Sequence, residues 1–431
     1  MAPSESATRI VQLASTISDA VAKLDEILQS QGLQTPSFNE DAPTSLPEEA
    51  LAMQSVVLDA TSELHDLLLS PMALLLNKTA QNSMVPFQFI SHLGVAGMVP
   101  LGGRTSFQEI ATKTGLSEVN VGRVLRHAIA MRVFQEPEPG IVAHTNISKA
   151  ITDSSLNDWL KTASRDLWPA ATKMFDAMRK WPNSQEINET GFSLAHDTSM
   201  SVYEFFQANP DRALSFVGSL KALTSSPEYD VRHVIDNYDW RSLGQAQVVD
   251  VGGSRGNVAI QLAKNFPELK VLVQDKEEVI QGAENDIPNE VKARVSFAVH
   301  DIICPQTVEA DVYYLRWILH NWPDKYCLCT NSGQPEGMVI LRALIPALKH
   351  NARIVIQEAC LPEPGTVPLW KETRLRAADL SMTALFNARD RTANDWKALF
   401  TEADRRFVLK SVIQPTGSAL AILDLRWNAE G

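Results

Sequence analysis

Val248-Val249-Asp250-Val251-Gly252-Gly253-Ser254-Arg255-Gly256-Asn257 is an apolar strand that halts at small residues. Glycines at 252, 253 and 256 let the backbone bend sharply and let a ligand approach closer than any Cβ would allow. A second apolar run, Lys270-Val271-Leu272-Val273-Gln274, then ends on Asp275, 19 residues past Gly256, where a ribose needs a hydrogen-bond acceptor. A glycine-rich turn alone is a weak signal. Strand, turn, helix, strand and terminal acid in one unit point to a nucleotide-type ligand rather than a purely structural βαβ turn.

From Gln247 onward strand and helix patterns alternate, with strands expected at 247–252, 270–274, 295–299, 311–315 and 353–358. That alternation predicts a doubly wound parallel α/β sheet. The end of the chain differs. Phe407 to Gln414 and Ala419 to Trp427 are strand-like and joined only by Pro415-Thr416-Gly417-Ser418. So short a connection joins only antiparallel neighbours. A parallel sheet closed by a terminal hairpin departs from the all-parallel dehydrogenase plan and suits the sheet of S-adenosylmethionine (SAM) methyltransferases.

The preceding half is helical. Ile10, Leu13, Ile17, Val21, Leu24, Ile27 and Leu28 repeat at three or four, giving an amphipathic helix with no core of its own. A linker near 33–47 leads to helical pattern from Glu48 to Leu76. Ser106 then caps a helix broken by Gly115, and Ser117 starts another through Val124, Leu125 and Ile129. Phe134, the turn Glu136-Pro137-Glu138-Pro139-Gly140 and Ile141-Val142-Ala143 complete a winged helix-turn-helix pattern. Arg123, Arg126 and Arg132 are its cations, but Glu136 and Glu138 at the wing tip would repel phosphate, so dimerisation is favoured over DNA binding. Asp153 to Tyr238 is again helical, and most of its aromatics (Trp159, Trp168, Phe175, Phe192, Phe205, Phe206 and Phe216) are expected in the core. The expected division is a helical arm and winged-helix domain over 1–150, a connecting and substrate-lining region over 151–238, and a Rossmann-like domain over 239–431.

Composition bounds function. With 431 residues the chain exceeds what one core organises, and 45% hydrophobic with 21% charged residues is ordinary for a globular protein. No apolar run approaches the roughly 20 residues of a membrane span, and Met1 to Arg9 lacks a signal-peptide pattern, so a cytoplasmic address is expected. A formal charge of −12 argues against binding nucleic acid. Cys327 and Cys329 have no second pair with metal-ligand spacing, so no metal is expected.

The chain resembles fungal members of the plant-caffeate-type class I SAM-dependent O-methyltransferases, whose dimerisation domain is a winged helix. The resemblance covers nearly the whole chain. It is carried by Val249-Asp250-Val251-Gly252-Gly253, Leu315-Arg316-Trp317-Ile318-Leu319-His320-Asn321-Trp322 and Leu361-Pro362-Glu363-Pro364-Gly365, with Asn188-Glu189-Thr190-Gly191-Phe192 and Arg391-Thr392. It implies a homodimer acting on a phenolic or polyketide-type small molecule, with SAM as methyl donor.

A phenol with pKa near roughly 10 is a poor nucleophile at neutral pH until its proton leaves. The resemblance puts His320 at the general-base position, with Glu358 and Asp390 as carboxylates that hold its ring and stabilise the imidazolium. It assigns Gly252 to the methionine portion of SAM, Asp275 to the ribose, Asp301 to the adenine region and Arg316 to a lysine position of plant relatives. Trp322 is a candidate to pack on the adenine. Trp168, Phe216, Leu220, Met382, Phe386 and Asn387 fall near substrate-lining positions.

Two departures stand out. Asn321 replaces an Asp common beside the base, and Leu328 to Met338 is a Gly-, Pro-, Ser- and Asn-containing insertion read as a loop. They leave room for a rival of the same fold, a fungal pericyclase or dehydratase that binds SAM without consuming it.

Overall fold

The structure is a computed structural model and describes residues 7–328 and 340–429. Residues 329–338 of the expected insertion lie outside the described residues. The chain forms two compact units: Met1–Pro169 with Phe206–Ala222 and Gly365–Arg374, and Ala170–Phe205 with Leu223–Pro364 and Leu375–Gly431.

In the first unit, helix Arg9–Ser30 buries only Leu13, Ala20 and Leu28 and packs chiefly on helix Leu51–Leu68. Helices Phe107–Thr114 and Glu118–Ala130 form the expected helix-turn-helix. Ser106 and Glu109 make a reciprocal capping box, Gly115 ends the first helix at φ +73°, and Ser117 caps the second. Strands β1 (Arg104–Ser106), β2 (Phe134–Glu138) and β3 (Ile141–His144) form an antiparallel sheet in the order β1-β3-β2. Ile110, Val121, Leu125, Phe134 and Val142 build the core between helices and sheet.

The hairpin turn is shorter than expected. β2 continues through Glu138, because Pro137 sits where the register slips on an edge strand and no ladder N–H is required. The two acids expected at the wing tip are each paired with an arginine. Glu136 pairs with Arg126 at 2.8 Å and accepts the Gly140 N–H, while Glu138 pairs with Arg104 at 2.7 Å. Two expected core aromatics are exposed instead, Phe175 at 66% and Trp159 at 36%.

The second unit is built on a seven-stranded sheet: β4 (Ala246–Val251), β5 (Leu269–Asp275), β6 (Val295–Val299), β7 (Ala310–Arg316), β8 (Leu348–Glu358), β11 (Phe407–Ile413) and β12 (Ala421–Trp427). Two-residue strands β9 (Cys360–Leu361) and β10 (Arg391–Thr392) pair separately in parallel. The order is β11-β12-β8-β7-β4-β5-β6, with β4 to β8 parallel and the terminal hairpin β11-β12 antiparallel. Side chains alternate strictly between two buried faces. Val249, Val251, Tyr313, Leu315, Ile354 and Ile356 meet Trp396 and Phe400 on one face. Val248, Val271, Val273, Val312, Tyr314 and Val355 meet Leu262 and Trp240 on the other. Burial on both faces explains why these strands read as unbroken apolar runs. No helix among the described residues is long and apolar enough to cross a membrane.

Candidate active site

β4 lies between β5 and β7, so the carboxyl edge of the sheet opens where the strand order reverses, the usual ligand crevice of such folds. The order β8-β7-β4-β5-β6 sets the candidate residues along that edge. Glu358 ends β8, Arg316 ends β7, Gly252 follows β4, Asp275 ends β5 and Asp301 follows β6.

The glycine loop is held tightly. Gly252 and Gly253 both donate to the Gln274 carbonyl, at 2.7 and 3.2 Å, and Gly252 and Gly256 have φ of +72° and +78°. A Cβ on Gly253 would stand 2.5 Å from the Asp250 carboxyl. Asp275 accepts the Ser254 N–H at 2.9 Å and the Lys276 N–H at 2.8 Å, and burial raises its pKa. Asp250, to which the sequence assigns no role, is 2% exposed, and its Oδ2 has no hydrogen-bond partner among the described residues. Burial, then the Asp275 charge, pushes its pKa up to about 7, with Arg316 pulling the other way. A buried carboxyl pair beneath a glycine loop fits a cofactor that carries positive charge. Asp301 accepts the Ile303 N–H at 3.2 Å, a local turn cap. Arg316 donates to Gln357 Oε1 at 3.2 Å and to the Tyr229 carbonyl.

Beyond β7 the chain bends at Trp317, whose φ of +56° is rare for a bulky residue and marks local strain. The single 3-10 turn Leu319–Asn321 follows and presents His320. Its Nδ1 lies 3.7 Å from Asp390 Oδ1, an ion-pair distance longer than a formed hydrogen bond. The ring stacks on Trp317 at 6.1 Å. Burial alone would lower the His320 pKa, but the charges of Glu358 and Asp390 outweigh it and the net shift is upward.

Glu358 does not grip the ring. Its Oε1 accepts backbone N–H groups of Ile318 at 2.8 Å, Leu319 at 2.7 Å and His320 at 3.4 Å, capping the open end of the turn. The second oxygen is buried without a partner among the described residues, so the charge acts on the imidazole through space. Asn321 likewise faces backbone, donating to the Trp317 carbonyl at 3.3 Å.

The substrate candidates divide. Trp322 stacks on Tyr203 at 6.1 Å and Tyr203 on Phe386 at 5.5 Å, with interplanar angles of 24° and 28°. Trp322, expected at the adenine, is thus linked through Tyr203 to Phe386, expected at the substrate. Tyr203, which stacks between the two, was not marked by the sequence because it falls within none of the motifs. Met382 is half-buried one turn before Phe386. Asn387 donates its amide to the carbonyls of Ser184 at 2.8 Å and Glu186 at 3.2 Å, so that end of its side chain holds a loop. Trp168, Phe216 and Leu220 lie in the first unit, where Phe216 packs on Phe206 at 4.9 Å. Arg391, singled out by sequence only as part of a motif, is fully buried against the His320 turn.

Residues 176–405 match the model of the O-methyltransferase domain. The chain is 46% identical over 429 residues to the O-methyltransferase PaMT of Phomopsis amygdali, covering 99% of this chain and 98% of the relative. It is 37% identical to the grayanic acid biosynthesis cluster O-methyltransferase of Cladonia grayi, covering 98% and 89%. The crystal structure of OxaC in complex with SAH and oxaline matches with a TM-score of 0.71 at 22% identity, over 98% of this chain and 100% of that one, a likeness of fold. With this domain and relatives of that name along its whole length, the chain belongs to the O-methyltransferase family and is an enzyme that uses S-adenosylmethionine.

Proposed function

We propose that the enzyme methylates the hydroxyl of a planar phenolic or polyketide-type secondary metabolite, with His320 as general base. The observation that carries this reading is the His320 imidazole facing Asp390 at 3.7 Å on a turn held by Glu358, at the same sheet edge as the glycine loop. SAM supplies an electrophilic methyl group, and the protein has to orient the hydroxyl and remove its proton. The glycine loop and Asp275, with Arg316 and Asp301 beside them, are the residues that would hold the cofactor. His320 takes the phenol proton, and the imidazolium that forms is stabilised by Asp390 and, through space, by Glu358. The stack of Trp322, Tyr203 and Phe386 offers flat apolar faces to an aromatic ring.

Incubation with SAM and a panel of mono- and dihydroxybenzenes should release S-adenosylhomocysteine and yield the methyl ether. Product formed from a quinone methide precursor with SAM left unconsumed would favour the SAM-retaining pericyclase alternative instead. A base must be neutral to work. Since the His320 pKa is raised above 6.5, activity should be lost as pH falls through that higher value. Asp390→Asn removes a charge that raises it, so the acid limb of kcat/KM should move to lower pH while kcat falls about tenfold. An unmoved limb would contradict the pairing.

The first unit reads as a winged-helix dimerisation domain within residues 1–150, followed by the connecting and substrate-lining region 151–238 and the SAM-binding domain 239–431. Support for dimerisation comes from the amino-terminal helices, which leave Ile10, Val11, Val21, Leu67, Leu68, Met72, Leu75 and Leu76 exposed. A second copy covers that surface. Light scattering should give twice the chain mass, and a monomer at micromolar concentration would refute it.

A further inference from the structure

We propose that Arg391 is a positioning residue for methyl transfer, clamping the turn that carries His320 to the same backbone that carries Asp390. The inference rests on the reading of His320 as base and extends it.

The turn cannot hold itself. Its internal backbone bonds are Asn321 N–H to the Ile318 carbonyl at 3.3 Å and Trp322 N–H to the Leu319 carbonyl at 3.2 Å, and it leaves strained Trp317. A single 3-10 turn is marginal without outside partners. Glu358 provides them on the N–H side. On the carbonyl side, Arg391 Nη1 donates to Leu319 O and Nη2 to Trp322 O, each at 3.1 Å, so the two acceptors bracket His320. Two further donors, Nε at 3.0 Å and Nη2 at 2.6 Å, meet one oxygen of Asp324, whose other oxygen accepts from Arg389 at 2.8 Å.

Arg391 itself has little freedom. Its side chain is 0% exposed, lies over the Trp396 ring at 4.9 Å, and its backbone pairs in register with Cys360, two residues past Glu358. Asp390, its neighbour, is tied by its N–H to Asp379 at 2.8 Å. The separation between base and carboxylate is thus set through one peptide link. Burying a guanidinium is costly, and a buried ion pair is better evidence for geometric specification than for net stability. Lysine could not substitute. A point charge with three donors on a flexible stem cannot hold two carbonyls and a carboxylate in a fixed planar fork.

The test compares Arg391→Lys, Arg391→Met, Asp324→Asn and His320→Ala on the best acceptor of the phenol panel, with SAH affinity by calorimetry. Arg391→Lys should lower kcat about 10- to 100-fold, the effect of a small misplacement of a reacting group, with SAH affinity within about twofold of wild type. The groups facing His320 are Glu358 from β8, Asp390 just before β10 and Arg391 in it. Losing the Arg391 cation in Arg391→Met should therefore also move the acid limb to higher pH, whereas Arg391→Lys should not. Should neither variant fold, Asp324→Asn decides, with a kcat loss of about threefold or more at unchanged SAH affinity expected. Wild-type kcat in Arg391→Lys, or in Asp324→Asn alone, overturns the proposal. So does a kcat loss that merely tracks lost SAH binding and melting temperature. If His320→Ala instead keeps full turnover, the base assignment itself has failed, an outcome distinct from failure of the clamp.

Discussion

His320→Ala should lower kcat about 100- to 10,000-fold, the range of a positioned general base, and leave SAH affinity unchanged. The split between turnover and binding follows from the architecture. His320 sits on the turn after β7, while the cofactor residues Gly252 and Asp275 follow β4 and β5, so removing the imidazole leaves the glycine loop and its bonds to Gln274 intact. A cavity replaces a buried ring, and some stability is lost as well. Single-turnover measurement with pre-bound SAM separates the two effects. Turnover within tenfold of wild type would mean that the phenol loses its proton elsewhere, and the roles of Asp390 and Glu358 would fall with it.

Gly253→Ala should have the second largest effect. Its Cβ would stand 2.5 Å from Asp250 Cγ and Oδ2 and 2.9 Å from Val273 Cγ1. Asp250 is 2% exposed and Val273 is fully buried, so neither can move aside and the loop itself must lift. Overpacking of this kind costs about 1–3 kcal/mol. Here the strain falls on the backbone that carries Ser254, whose N–H holds Asp275. SAH affinity should fall by about tenfold to 100-fold, the same free energy expressed as a binding loss, with a lower melting temperature. Calorimetry showing wild-type affinity at wild-type melting temperature would show that the loop has room the structure does not.

Sheet and hairpin were legible because their signals are local. Each strand from β4 to β8 is an apolar run, and Pro415-Thr416-Gly417-Ser418 is too short for a crossover. Caps were equally legible. Ser106, Glu109, Gly115 and Ser117 act within one helical turn of their own positions. The site was legible in part. Motif position marked His320, Glu358 and Asp390, and the chain does bring them together. What each carboxylate does was not legible. Glu358, expected at the ring, accepts backbone N–H groups of a turn 40 residues earlier in the chain and acts on the imidazole through its charge alone.

Sequence by itself therefore determined the order of strands and helices, the glycine loop and its acid, and the family chemistry, since these depend on periodicity and on residues near one another in the chain. Tertiary structure alone decided how the buried charges are satisfied. Arg391 and Glu358 could each have faced water, substrate or backbone, and only the pairing of β7 with β8 and of β9 with β10 put both on the two ends of the His320 turn. The physical reason is that a buried charge must find whatever partner the fold brings near, and that partner carries no local signature in the chain.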